Sequence, residues 1–165
     1  VDCGYKCPTE VQQELIPQII RGMDVNCQSS DLGKTTAYGI GTLQLVEPAN
    51  KELTVLVLCH SKKKALSITK QYKELASSLT SIKIECCNDF KALINIKKQC
   101  PHIAIGTPEM ILALVRCGVL KLNRIKHIVV DDSNKLKPDQ HKYIRKLTKY
   151  TPREKQVLLF STPDN

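Results

Sequence analysis

Short apolar runs alternate with amphipathic stretches from one end of this chain to the other, and no other feature narrows the fold as far. Strands covered on both faces read as unbroken Val, Ile and Leu, whereas the helices covering them show a single apolar stripe. The runs Asp24 to Cys27, Leu53 to Cys59, Lys83 to Cys87, His102 to Gly106, His127 to Val130 and Gln156 to Phe160 fit the first description. Between Lys62 and Ser78, Ala65, Ile68, Tyr72 and Leu75 recur at helical spacing, opposite Lys63, Lys70 and Lys73. Further helices are expected after Cys7, after Gly33, after Asn88, after Thr107-Pro108 and from about Pro138 to Tyr150, with Pro17 kinking or splitting the first. Such alternation closes a mainly parallel sheet with helices on both faces, so residues 1–165 are read as one α/β domain.

At 165 residues and 42% hydrophobic content, the chain is long enough to bury one core and short for two. No apolar run reaches the ~18 residues of a membrane span, and the start lacks the basic-then-apolar layout of a secretory signal, so a soluble intracellular protein is expected. The eight cysteines are read as reduced, largely buried thiols, because Cys59 and Cys86-Cys87 fall in or beside strands and no close pairs have zinc-ribbon spacing. A net charge of +9 favours a polyanionic partner. With few aromatics and no Trp, nucleic-acid contact is expected along the phosphate backbone rather than through base stacking. The competing reading is a solvated lysine-rich surface.

In an open parallel sheet the loops after the strand C-termini converge on one edge, and ligands bind there. Ser29-Ser30-Asp31-Leu32-Gly33-Lys34-Thr35 follows the first strand and opens a helix, where a phosphate-cradling loop must sit. Amides at the helix N-terminus would face the anion, Lys34 would reach the outer phosphates, and the Thr35 hydroxyl would ligate magnesium. Gln28 stands where the full pattern wants a small residue, and Asp31 puts a carboxylate where phosphates would lie. The bland alternative is a loop that merely starts a helix. Asp131-Asp132-Ser133-Asn134 follows an apolar strand, the place for one acid that holds magnesium through water and another that orients the attacking water; a solvated helix-capping turn is the alternative.

With those loops in order, the chain resembles the first, RecA-like lobe of DEAD-box RNA helicases, the DECD-type helicases of splicing and mRNA export in particular. Gly4-Tyr5 and Pro8-Thr9-Glu10-Val11-Gln12 look like the adenine-recognising Q motif, and Gly22-Met23-Asp24-Val25 with Cys27-Gln28 looks like the approach to the phosphate loop. Cys59-His60-Ser61-Lys62 is similar to the family's Pro-Thr-Arg-Glu-Leu-Ala motif, with Lys62 in place of the RNA-contacting arginine. Gly106-Thr107-Pro108 resembles the segment that touches the RNA backbone, and Phe160-Ser161-Thr162 the Ser-Ala-Thr motif that couples the lobes. The resemblance implies a P-loop NTPase fold and an ATP site with Mg2+, built from Tyr5, Gln12, Ser29, Ser30, Asp31, Leu32, Gly33, Lys34, Thr35 and Thr36. It implies metal ligation by Thr35 and Asp131 and catalysis by Asp131, Asp132 and Lys34; RNA contact falls to Lys62, Thr107 and Pro108, and interlobe coupling to Ser161 and Thr162. It further implies a nuclear or otherwise intracellular monomer that meets RNA and RNA-processing or export proteins, and a second lobe that these residues do not contain.

The departures are as informative. The phosphate loop reads one residue short. Asp132 stands for the glutamate of the Asp-Glu pair, Ser133 and Asn134 for its last two residues, and Pro163 follows a motif that has lost its alanine. Lys63-Lys64 replaces Glu-Leu, Glu109-Met110 replaces Gly-Arg after Thr-Pro, and Asn88-Asp89-Phe90 lies where the double glycine is missing. Weak ATP binding with slow or absent hydrolysis is therefore expected, and the contacts that link the acid loop to Ser161 and Thr162 are put in question. A non-catalytic module that keeps the fold to hold RNA or a protein is the rival reading, and a degenerate copy without activity is a third.

Overall fold

A computed structural model of the chain describes residues 10–30, 33–79 and 81–163. Six parallel strands run β1 (Val25–Gln28), β2 (Val55–Leu58), β3 (Ile84–Cys86), β4 (Ile103–Gly106), β5 (His127–Val130) and β6 (Gln156–Ser161). Helix α1 (Glu10–Ile20) precedes β1, and α2 (Lys34–Leu45), α3 (Lys62–Leu75), α4 (Phe90–Lys98), α5 (Pro108–Arg116) and α6 (Pro138–Thr148) connect the strands. All six expected strands are present with ends shifted by at most a residue or two, as is the helix expected after each named start.

Within a strand, successive side chains enter opposite faces, which is why these runs are apolar without a break. Val55 and Val57 join α1, α2 and α3 in one core, while Leu56 and Leu58 join α4, α5 and α6 in the other. Ile105 and Val129 follow the valines; Ala104, Ile128 and Val130 follow the leucines. Each fully buried aliphatic side chain contributes about 1.5–3 kcal/mol, so either layer of helices is held by several.

Of the kink or split expected at Pro17, the split does not occur, and α1 runs as one helix from Glu10 to Ile20. Leu15 and Ile19 on either side of the proline are buried in the core, whereas Pro17 and Gln13 lie on the exposed face. The thiol expectation holds in part: Cys59 and Cys87 are buried, Cys86 is half-buried, and Cys100 and Cys117 are exposed. No helix among the described residues is long and apolar enough to cross a membrane, and no cluster of metal-ligating side chains occurs among them.

Neighbouring β5 and β6 carry one buried polar pair, His127 and Gln156. Gln156 Nε2 donates to Ile19 O at 3.0 Å and Met23 O at 2.7 Å, which fixes the amide so that Oε1 must accept from His127 Nδ1–H, 2.7 Å away. Burial lowers the His127 pKa; the Gln156 bond opposes that and Lys126 adds to it. A folded pKa below the unfolded value means that the unfolded chain binds more protons between the two, so the stability is present above ~6.5 and is lost as pH falls. Thermal melts should therefore show a midpoint that falls as the pH drops below about 6.5, and His127→Gln should flatten that slope; an unchanged slope would mean that other groups set it.

The strand order β1-β6-β5-β2-β4-β3 decides what can meet. Strands β1, β6, β5 and β2 are consecutive neighbours, so their C-terminal ends bring together residues far apart in sequence: the loop before α2, Ser161, Asp131 and the start of α3.

Candidate functional site

A pocket of ≈ 180 Å3 opens at that edge, lined by Ser30, Lys34, Thr35, Lys64, Asp131, Asp132, Lys135 and Thr162. Lys34 is the first residue of α2 and is only 7% exposed. Its ammonium donates to Ser29 O and, at 3.0 Å, to Ser161 O, so it is held by the ends of the two adjacent strands it bridges. The same Ser161 carbonyl accepts Ser29 N at 3.0 Å, which closes the start of the loop against β6. Gln12, buried on α1, donates Nε2 to Gly33 O at 3.2 Å. This ties the helix of the adenine-type motif to the residue preceding α2. Thr35 lines the pocket and Thr36 is buried behind it. Tyr5, Asp31 and Leu32 lie outside the described residues.

The acid pair sits at the end of β5. Asp131 is 3% exposed, and Asp132 adopts the left-handed conformation with φ 47° and ψ 52°, which a short polar side chain tolerates better than most. Burial pushes the Asp131 carboxyl up; Lys64 pulls it down and Asp132 pushes it up again, leaving it raised. Neither Asp131 Oδ2 nor the buried Tyr38 hydroxyl finds a partner in hydrogen-bond geometry among the described residues. Tyr38 packs on Phe160 with ring centroids 5.1 Å apart, and its pKa is raised first by burial and then by Asp131.

Lys64 was legible only as part of a basic run, yet it completes this site. Ser61 caps α3 by accepting Lys64 N at 3.1 Å, which fixes the helix's first turn beside the end of β5. The Lys64 ammonium lies 3.5 Å from Oδ2 of Asp131 and 3.5 Å from Oδ2 of Asp132, while Lys135 reaches Asp132 Oδ2 at 3.6 Å. Burial works to lower the Lys64 pKa, but the two carboxylates outweigh it and hold it above the ordinary value. A buried carboxylate oxygen without a hydrogen-bond donor would suit a divalent cation. The cation placed there by the fold, however, is an ammonium, and with it in position the residues do not fit magnesium between Thr35 and Asp131.

The acid loop and the Ser161-Thr162 segment are joined directly. Asn134 Nδ2 donates to Thr162 O at 3.0 Å and to Oγ1 at 3.3 Å, and its Oδ1 accepts Thr162 N at 3.2 Å. The link between the acid loop and the Ser161-Thr162 segment is therefore made, because an asparagine can both donate and accept across the gap.

The model of the DEAD/DEAH box helicase family matches residues 9–163. The chain belongs to that family. Human ATP-dependent RNA helicase DDX39A is 41% identical over 98% of this chain and 39% of its own length. DEAD-box ATP-dependent RNA helicase 15 of Arabidopsis thaliana is 38% identical over 98% of this chain and 39% of its own length. The chain thus spans about two-fifths of the length of these curated relatives. Among solved structures, Saccharomyces cerevisiae Dbp5 bound to RNA and ADP BeF3 superposes with a TM-score of 0.84 at 22% identity, over 98% of this chain and 42% of that one. A DEAD box protein from the hyperthermophile Methanococcus jannaschii gives 0.84 at 24% identity, over 98% and 46%. The RecA-like α/β fold and the resemblance read from the helicase motifs are borne out.

Against that helicase frame, the RNA-type residues separate. Lys62 is exposed at the start of α3, whereas Thr107 and Pro108 are buried where they cap and open α5. Glu109, next in line, is engaged by Gln140 Nε2 at 3.2 Å, and the same amide nitrogen donates to His60 O at 3.0 Å. The carboxylate that replaces a family glycine is thereby drawn toward α6.

Proposed function

We propose that this chain is the nucleotide-binding lobe of a DEAD-box-type RNA helicase acting in RNA processing, in which ATP binding persists and hydrolysis is slow or lost. The observation that carries the reading is the convergence of Lys34 and Thr35 on one pocket with Asp131 and Asp132, while Gln12 is bonded to Gly33 just before α2. Such a pocket offers helix N-terminal amides, an ammonium and a neighbouring glutamine, which together suit a purine nucleoside polyphosphate. Lys34 rests on two backbone carbonyls, a position from which it can exchange to phosphate oxygens with little change in hydrogen-bond count.

Hydrolysis is weakened for a geometric reason. Asp132 is one methylene shorter than the family glutamate and is paired to both Lys64 and Lys135, so it is held back from the place where water would be oriented. A misplacement near 1 Å costs on the order of a hundredfold in rate. The family's second lobe supplies the arginines that stabilise a transferring phosphoryl group, so duplex unwinding is assigned to a two-lobe protein. RNA, RNA-processing or export proteins and a nuclear location follow from the motif resemblance, and the lobe is taken to act as a monomer. The alternative is a non-catalytic RNA- or protein-binding module, favoured by the two ammonium groups on the acid pair.

The test of the nucleotide reading is titration with a fluorescent ATP analogue and its displacement by unlabelled ATP; absence of displaceable binding at millimolar nucleotide would end it. RNA contact is tested separately by anisotropy with single-stranded RNA across a salt series. Replacing Lys62 by Ala should lower the slope of log K against log[salt] by about 0.7, the value for one phosphate contact on a single strand. A slope unaltered by Lys62→Ala would remove that residue from the RNA interface.

A further inference from the structure

The acid pair of this site carries two negative charges, and two lysine ammonium groups, Lys64 and Lys135, lie within 3.6 Å of it. A divalent cation would bring the same two positive charges. Two acids and two ammonium groups sum to zero, as two acids and one divalent ion would, so Lys34 and the α2 amides present an equivalent field to a polyphosphate either way. Lys64 also has the geometry of a shared counter-ion: its nitrogen is equidistant, at 3.5 Å, from one oxygen of each acid. Its backbone is fixed by the Ser61 cap. Lys64 stands where the family motif has leucine, a side chain that cannot compete for carboxylates.

We propose that Lys64 is a resident cation of this pocket, taking the place of a divalent ion between Asp131 and Asp132, so that the site takes a nucleoside polyphosphate free of metal. The second half of this inference rests on the nucleotide reading above; the first half does not. A metal entering the pair would have to expel an ammonium from between two carboxylates while a second ammonium, Lys135, remained on Asp132. Removing the Lys64 charge leaves the buried Asp131 with no described cationic neighbour at that distance, and a site of net negative charge for a metal to fill.

The experiment compares the intact chain with Lys64→Leu and Lys64→Gln, after circular dichroism has confirmed that each folds. Binding of Mn2+ alone is followed by electron paramagnetic resonance. The intact chain should bind Mn2+ at least about tenfold more weakly than either variant, the least that release of one opposing charge should give. Equal Mn2+ affinity in all three would overturn the proposal. The fluorescent ATP analogue is then titrated in EDTA and in Mg2+. The intact chain should change by less than about twofold between the buffers, and Lys64→Leu should lose about tenfold or more in EDTA. A tenfold loss in EDTA by the intact chain would overturn the inference while leaving the nucleotide reading standing. If no form binds nucleotide in either buffer, the nucleotide reading and metal-free binding both fail, and the Mn2+ comparison alone decides the role of Lys64.

Discussion

Lys34→Ala should weaken binding of a fluorescent ATP analogue by about tenfold to a thousandfold, because it removes the one buried ammonium that starts α2 and faces the pocket. Truncating a partner in a buried charge pair costs about 2–5 kcal/mol, which spans roughly thirtyfold to several thousandfold in affinity. The free state offsets part of that, since Lys34 must leave Ser29 O and Ser161 O to reach a phosphate. Each of those neutral-acceptor bonds is worth about 1 kcal/mol net, less than a charge-assisted bond to phosphate, so the exchange favours the nucleotide. Lys34→Arg keeps the charge and serves as the control; it should retain more binding than the alanine variant. The melting temperature of Lys34→Ala should move little, because Ser29 and Ser161 are only partly buried and water can replace the lost donor. Unchanged analogue affinity in Lys34→Ala would place the nucleotide elsewhere or nowhere.

The fold was legible because its signal is local. A run such as Val55 to Leu58 is apolar at every position only if both faces are covered, and the valines and leucines do divide between two cores. Gly33-Lys34-Thr35 was legible for the same reason, being a strand-to-helix junction within one short stretch. Lys64 was not. In sequence it is the last of three lysines and reads as part of a solvated or RNA-facing run; only the order β5-β2 sets the start of α3 beside the end of β5. The one signal available was a charged residue at a position where the family motif is apolar, one helical turn after a serine cap. The Asn134 to Thr162 link escaped for a related reason, since replacing a motif residue removes an expected contact without showing what the replacement can reach. At Pro17 the local cost was not enough to divide α1, because burial of Leu15 and Ile19 on either side of it holds the helix together.

The packing of α1 on α2 leads to the second large effect. A Cβ added at Gly41 would lie 2.5 Å from Ile19 Cγ2 and 2.9 Å from Ile19 Cβ. The Cβ contact is decisive, because that atom is fixed to the α1 backbone and a β-branched side chain has almost no rotamer to yield. At Gly39 the closest atom is Leu75 Cδ1 at 2.7 Å, the far end of a flexible side chain. Glycine to alanine within a helix gains up to about 1 kcal/mol in propensity, while overpacking a tight core costs about 1–3 kcal/mol. Gly39→Ala should therefore be close to neutral, and Gly41→Val should lose about 3 kcal/mol, a fall of roughly 6–12 °C in melting temperature for a chain of this size. Function should follow stability: relief of the clash pushes α1 away from α2, and α1 carries Gln12, whose amide bonds Gly33, the residue just before α2. Below its lowered melting point, Gly41→Val should also bind the ATP analogue more weakly than Gly39→Ala. Thermal melts that place the two variants within about 2 °C of each other would show that α1 and α2 can separate without cost, and that the contact does not position the site.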